Sequence, residues 1–130
     1  MGMPDPFPWR ETLRWLARIL AIGLFVFWGA FFVAHLREWF FHESGALPPV
    51  KVWIAQFLHL LMLIGLAILV WRPAVGSWAT LATTAAFFAW IGYSGELYLP
   101  LLNAIPALME LVTHRKADRS ASVDPHSTHA

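Results

Sequence analysis

Between Ala34 and Glu43 the sequence reads AHLREWFFHE, and His35, Glu38 and His42 fall at i, i+3 and i+7. On a helix that continues through this stretch they share one stripe. Two imidazoles and a carboxylate suit zinc or a similar divalent ion. The spacing is not the i, i+4 histidine pair of the HExxH metalloproteases. About 10.5 Å of helical rise separates His35 from His42, too far for both to bind one ion on a straight helix. A metal site here requires the helix to end near Trp39 and fold back, or the ion to bridge partners. Without that, the stripe is a polar face at the level of lipid headgroups.

A second constellation pairs His35 with His59. His35 lies four residues from Trp39 and His59 six from Trp53. If those tryptophans mark one interface, the imidazoles sit about 6 and 9 Å beneath it on consecutive antiparallel helices. Facing each other, they could ligate haem b axially or share a metal ion. Trp28, Phe31, Phe32 and Trp53 would then wall a site for haem or a quinone-like ligand. Not facing, His35 is an interfacial residue and His59 bonds a carbonyl or a threonine of the third segment.

The remaining ionisable groups lie at segment ends. Glu96, near Tyr93 and Tyr98, can approach the His42 loop. Glu110 and His114, at i, i+4, are expected to snorkel at the inner end of the last segment. No Gly-rich phosphate loop, Ser-His-Asp set or HExxH motif is present. No nucleophile and base can be paired, so the sequence predicts a protein that is not an enzyme. The absence of cysteine rules out disulfides, thiolate metal sites and thioether haem attachment.

The elements that must position these residues are helices in a membrane. Of 130 residues, 58% are hydrophobic and only 13% charged, with eight tryptophans. Mean hydropathy is +0.58. So few charges could not cover a water-soluble globule. A net charge of +1 gives no support to a nucleic-acid partner. Residues 1–14 form a lead-in, proline-rich to Pro8 and amphipathic from Trp9, with Arg10, Arg14 and Arg18 recurring every four residues. A basic start before an apolar run also describes a secretory signal. This run is too long for one, and no small-x-small cleavage site follows it.

Four helices are predicted at about 15–41, 52–71, 75–93 and 97–112, followed by a disordered polar tail over 113–130. Pro48-Pro49, Arg72-Pro73 and the run Tyr93–Glu96 separate them. The third segment is rich in small side chains, which places it at the bundle centre with Ala79, Ala82, Thr83 and Ala86 as packing residues. The fourth is short, with Pro106 predicting a kink. A re-entrant or interfacial segment is the rival reading for it.

Four spans with both termini inside put Arg10, Arg14, Arg18, Arg72, Arg115, Lys116 and Arg119 in the cytoplasm. Arg37 and Lys51 are then left outside, as the positive-inside rule asks. Trp15, Trp71 and Trp78 mark the inner interface, and Trp39, Trp53 and Trp90 the outer. The predicted location is the inner or plasma membrane.

The stretch FLHLLMLIGLAILVWRPAVGSW, from Phe57 to Trp78, and LPLLNAIPALMELV, from Leu99 to Val112, carry a resemblance. Together with the Ala-Arg-Ile-Leu start at Ala17–Leu20, they resemble small prokaryotic four-helix membrane proteins carrying a domain of unknown function. The resemblance covers about Ala17–Val112. It implies that fold and a bacterial or archaeal origin, and it implies no activity. The resemblance assigns no role to the His35, Glu38 and His42 stripe.

The sequence therefore predicts an all-α integral membrane four-helix bundle, antiparallel and up-down, with no cofactor. Its expected role is that of an accessory, structural or assembly subunit acting by helix packing within the bilayer, as a homo-oligomer or in a larger complex. The alternative is a redox or small-molecule binding bundle that uses His35 and His59. A transporter component is disfavoured, because segments two and three carry no charge.

Overall fold

The computed structural model describes residues 8–41, 45–92, 95 and 97–122, with side chains described up to Arg115 in the last helix. The chain forms four helices: α1 (Pro8–Phe40), α2 (Val50–Trp71), α3 (Pro73–Trp90) and α4 (Tyr98–Ser122). No strand occurs among the described residues.

Proline sets most of the helix starts. Pro8 opens α1 and Pro73 opens α3, positions where a missing N–H costs nothing. Pro49 is the extended residue before α2, at φ −63° and ψ 149°. Arg72 both ends α2 and begins α3, at φ −128° and ψ 81°. A residue before proline is pushed out of the helical region, so Arg72-Pro73 is a one-residue joint. Its backbone remains paired: Arg72 N–H donates to Ile68 O at 2.6 Å, and Gly76 N–H donates to Arg72 O at 2.8 Å. Past the end of α3, Gly92 takes φ +64°, the left-handed conformation that closes a helix.

The joint folds α3 tightly back along α2. A Cβ on Gly76 would overlap the backbone of Leu69, and one on Gly65 would lie 3.1 Å from the backbone of Thr80. Glycine on each helix is what permits this approach. The other contacts run α3 to α4, α1 to α2 and α1 to α4. The helices thus form a closed square in which each packs mainly on two neighbours, with Trp28 of α1 reaching Phe87 and Phe88 of α3 across it, and α3 is a corner like the rest rather than the centre. Its inward face is Gly76, Ser77, Thr80, Thr84, Phe87 and Phe88. Ala82 and Ala86 remain exposed, and Ala79 and Thr83 are half-buried. The reason is that a stripe of hydroxyls and glycine, the polar side of the helix, turns inward, and the alanines turn outward.

Directions alternate around the square. Phe40 packs edge-on against Trp53, ring centres 4.5 Å apart, which joins the end of α1 to the start of α2. Asn103 donates its amide to Thr84 Oγ1 between α3 and α4. Arg10 Nη2 donates to Thr113 O at 3.2 Å, bringing the start of α1 to α4 beyond its middle. The core is Ala21, Leu24 and Trp28 of α1, Met62, Leu63, Leu66 and Leu69 of α2, Phe87 and Phe88 of α3, and Ala107 of α4.

Two helix bounds differ from the sequence expectation. Helix α1 begins at Pro8, so the amphipathic part of the lead-in is continuous with the apolar run. Helix α4 passes through Pro106 and continues to Ser122, ten residues beyond the expected end. Apolar length locates the lipid-compatible part of a helix. It does not locate the helix end, because residues 113–122 are polar but largely acceptable helix formers.

Candidate functional site

At the end of the bundle holding the α1–α2 and α3–α4 connections, the helices splay around a cavity of about 470 Å³. That lies in the range of small-molecule sites. All four helices contribute to its lining, from Trp28 and His35 on α1 through Gln56 and His59 on α2 and Phe87 and Trp90 on α3 to Leu99 on α4. The wall is mostly aromatic and aliphatic, with Lys51 and His35 among its polar members.

His35 and His59 line this one cavity. His35 is exposed, and its Nδ1 lies 2.9 Å from Phe31 O, one turn back, as an N–H donating to that carbonyl does. That leaves Nε2 as the ring's acceptor. The imidazole stacks on Phe31 with centroids 6.3 Å apart. His59 is only 4% exposed. Trp28 and Phe32 meet its ring edge-on at 5.8 and 5.4 Å, and Phe87 lies tilted at 5.0 Å. Its Nε2 and the Nε1 of Trp28 are both buried without a hydrogen-bond partner among the described residues. A buried indole N–H and imidazole nitrogen normally find partners, and such a pair left open beside a cavity marks a place where a ligand or water completes the bonding.

Of the aromatic residues expected around the histidines, Trp28 and Phe31 line the cavity and Phe32 backs His59. Trp53 packs instead on Phe40. Trp39, Gln56, Phe87, Phe88 and Trp90 were not foreseen as lining. Gln56 carried a signal, since it precedes His59 by three residues and therefore shares its helix face. Trp90 Nε1 donates to Lys51 O at 3.4 Å, tying the end of α3 to the start of α2 at the cavity mouth.

The His35, Glu38 and His42 stripe is described only in part. Helix α1 ends at Phe40, His42 lies outside the described residues, and His35 and Glu38 are both exposed. Among the described residues no three histidines or acids gather as metal ligands. Tyr93 and Glu96 also lie outside them. Glu110 departs from its expected snorkelling position: it is 0% exposed, because α4 carries it inside the bundle and continues for twelve residues past it.

A domain of unknown function, DUF7670, matches residues 8–120. No curated protein and no solved structure matches the chain.

Proposed function

The chain belongs to the DUF7670 family, and from that premise we propose a four-span membrane protein that takes up a small, largely apolar ligand at its outer end. The single observation that carries this reading is the cavity between the four helices, with Trp28 Nε1 and His59 Nε2 buried and unpartnered beside it. A ring-shaped, uncharged molecule with a carbonyl or hydroxyl group, such as a quinone, suits such walls. Rings pack on Trp28, Phe31 and Phe87, and the polar group answers Gln56 or the imidazoles.

Support for the membrane part is of two kinds. Helices α1 and α2 are each long and apolar enough to cross a bilayer. The outer surface is apolar along the whole bundle, including Ile19 and Val26 on α1, Phe57 on α2 and Leu101 on α4. Soluble monomers rarely expose such continuous apolar surface. Helices α3 and α4 are less apolar, and four spans require them to cross with their polar stripe turned inward.

Tryptophan quenching tests the ligand reading, because Trp28, Trp39 and Trp90 line the cavity. A short-chain quinone titrated into purified protein is expected to quench saturably. Ala55→Leu, which adds volume inside the cavity, should abolish saturation while leaving the melting temperature within a few degrees. Unsaturable quenching that is identical in both proteins would exclude the cavity as the binding site. A reduced-minus-oxidised haem b spectrum lost in His59→Ala would replace the quinone-like ligand by haem b.

A second reading, an accessory or assembly subunit, rests on a separate observation. Ala82 and Ala86 form an uncovered small-residue stripe on α3, a surface on which another membrane helix packs closely.

A further inference from the structure

At the opposite end of the bundle from the cavity, α3 and α4 bury a polar seam. Glu110 is 0% exposed, and neither of its carboxylate oxygens has a hydrogen-bond partner among the described residues. The pairing of Asn103 with Thr84 sets the register of these antiparallel helices. Seven residues further along α4 is Glu110, and seven residues back along α3 is Ser77, itself 0% exposed. Seven residues is close to two turns, so both return to the shared face. Thr113, one turn on, is also buried.

Ser77 and Thr113 spend their hydrogens on the backbone, whereas Thr80, one turn from Ser77 on the same face, keeps a buried hydroxyl with no partner among the described residues. Ser77 Oγ donates to Pro73 O at 2.6 Å, and Thr113 Oγ1 donates to Glu110 O at 2.7 Å. Arg10 donates to Thr113 O instead of reaching the carboxylate, and the Arg18 guanidinium lies over the Trp15 ring at 5.7 Å with its Nε buried and unpartnered among the described residues, no ion pair joining it to Glu110. Among the described residues the ion-pair neighbour of Glu110 is His114, whose Nε2 is 4.0 Å from Oε2 and whose side chain is 40% exposed. What Glu110 presents is oxygen lone pairs: two carboxylate oxygens, with the Ser77 hydroxyl at the matching turn of α3 and the Thr113 hydroxyl one turn further along α4. An isolated buried carboxylate is costly, and its unmet oxygens call for a positively charged or donating occupant.

We infer that Glu110, with Ser77 and Thr113, forms a binding site for one monovalent alkali cation between α3 and α4, entered past His114. The oxygen-only donor set selects a hard ion. Charge selects its valence: one carboxylate and one monovalent ion make a neutral pair, whereas a divalent ion would leave a net charge inside the bundle. The site is independent of the outer cavity, because Leu99, the α4 residue of that cavity, precedes Glu110 by about 16 Å of helix.

The test is thermal unfolding of the purified full-length protein in choline chloride against lithium, sodium, potassium, rubidium and calcium chlorides at one ionic strength. It is paired with equilibrium dialysis against radioactive sodium or rubidium. One alkali ion should raise the midpoint saturably by about 5 °C or more, and one ion per chain should bind. Glu110→Gln, which keeps shape and removes charge, should fold and lose both responses. Ser77→Ala should raise the half-saturating concentration about tenfold. Equal midpoints in choline and every alkali salt, with no ion bound, would overturn the proposal in favour of a carboxyl satisfied by water or its own proton. A cation response that survives Glu110→Gln, or one given only by calcium, would overturn it as well.

Discussion

Asn103 shows how a single side chain can fix register between two helices. Its amide donates to Thr84 Oγ1 in the buried α3–α4 interface. In a membrane setting such interhelical bonds are worth about 0.6 kcal/mol on average and up to about 1.7. A double-mutant cycle of Asn103→Ala and Thr84→Ala, read by reversible unfolding in detergent, should return a coupling energy in that range; additive losses would mean the bond carries no net stability. The two single variants should each lose about 1–3 kcal/mol, because the surviving partner is left buried and open. At this scale the sequence pointed to similar levels for His35 and His59, by counting residues back from the tryptophans, and the two line one cavity. It was not legible for Glu110. Placing the helix end near Val112 made Glu110 a terminal residue free to snorkel. A helix that runs to Ser122 makes it an interior one, buried among its neighbours.

The joint between α2 and α3 depends on Gly76 more than on any apolar contact. Arg72 is held extended by Pro73, so α3 must turn back within one residue, and the backbones of Leu69 and position 76 come together. Gly76→Ala would drive a methyl into that backbone, which cannot rotate aside. A loss of about 3 kcal/mol, or failure to assemble, is expected. Gly65→Ala meets Thr80 at a contact only a few tenths of an ångström too tight and should cost about 1 kcal/mol. Midpoints of the two variants ranked in the reverse order would contradict this account of the turn. Helix boundaries at prolines could be read from sequence because proline acts locally, on its own N–H and on the preceding residue. The inward face of α3 could not. Small residues lie all round that helix, and either the Ala79, Ala82, Thr83 and Ala86 stripe or the Gly76, Ser77, Thr80 and Thr84 stripe can accept a close neighbour. Composition does not choose between them. Burial of hydroxyls inside the bundle does, and that is a property of all four helices together.

For the whole molecule, the alternating helix directions place Arg10, Arg14, Arg18, Arg72 and Arg115 toward one end and Arg37 and Lys51 toward the other, on positions read from the order of the helices. By the positive-inside rule an excess of arginine and lysine marks the cytoplasmic side, so the cavity end is expected to face outward and the Glu110 end inward. The absence of cysteine makes this directly measurable. Leu47→Cys reports on the connection between α1 and α2, and Ala74→Cys on the joint between α2 and α3; both positions are exposed. With a membrane-impermeant maleimide on intact cells or spheroplasts, Leu47→Cys should label at once and Ala74→Cys only after permeabilisation. The reverse pattern would invert the topology, moving the ligand cavity to the cytoplasm and the Glu110 site to the outside. Labelling of both from one side would deny that α2 crosses the bilayer, leaving the apolar exterior to be covered by another protein. A third cysteine, Leu97→Cys at the end of the connection between α3 and α4, extends the test to the less apolar half of the bundle. It should behave like Leu47→Cys if α3 spans, because the two connections lie at the same end of an up-down square.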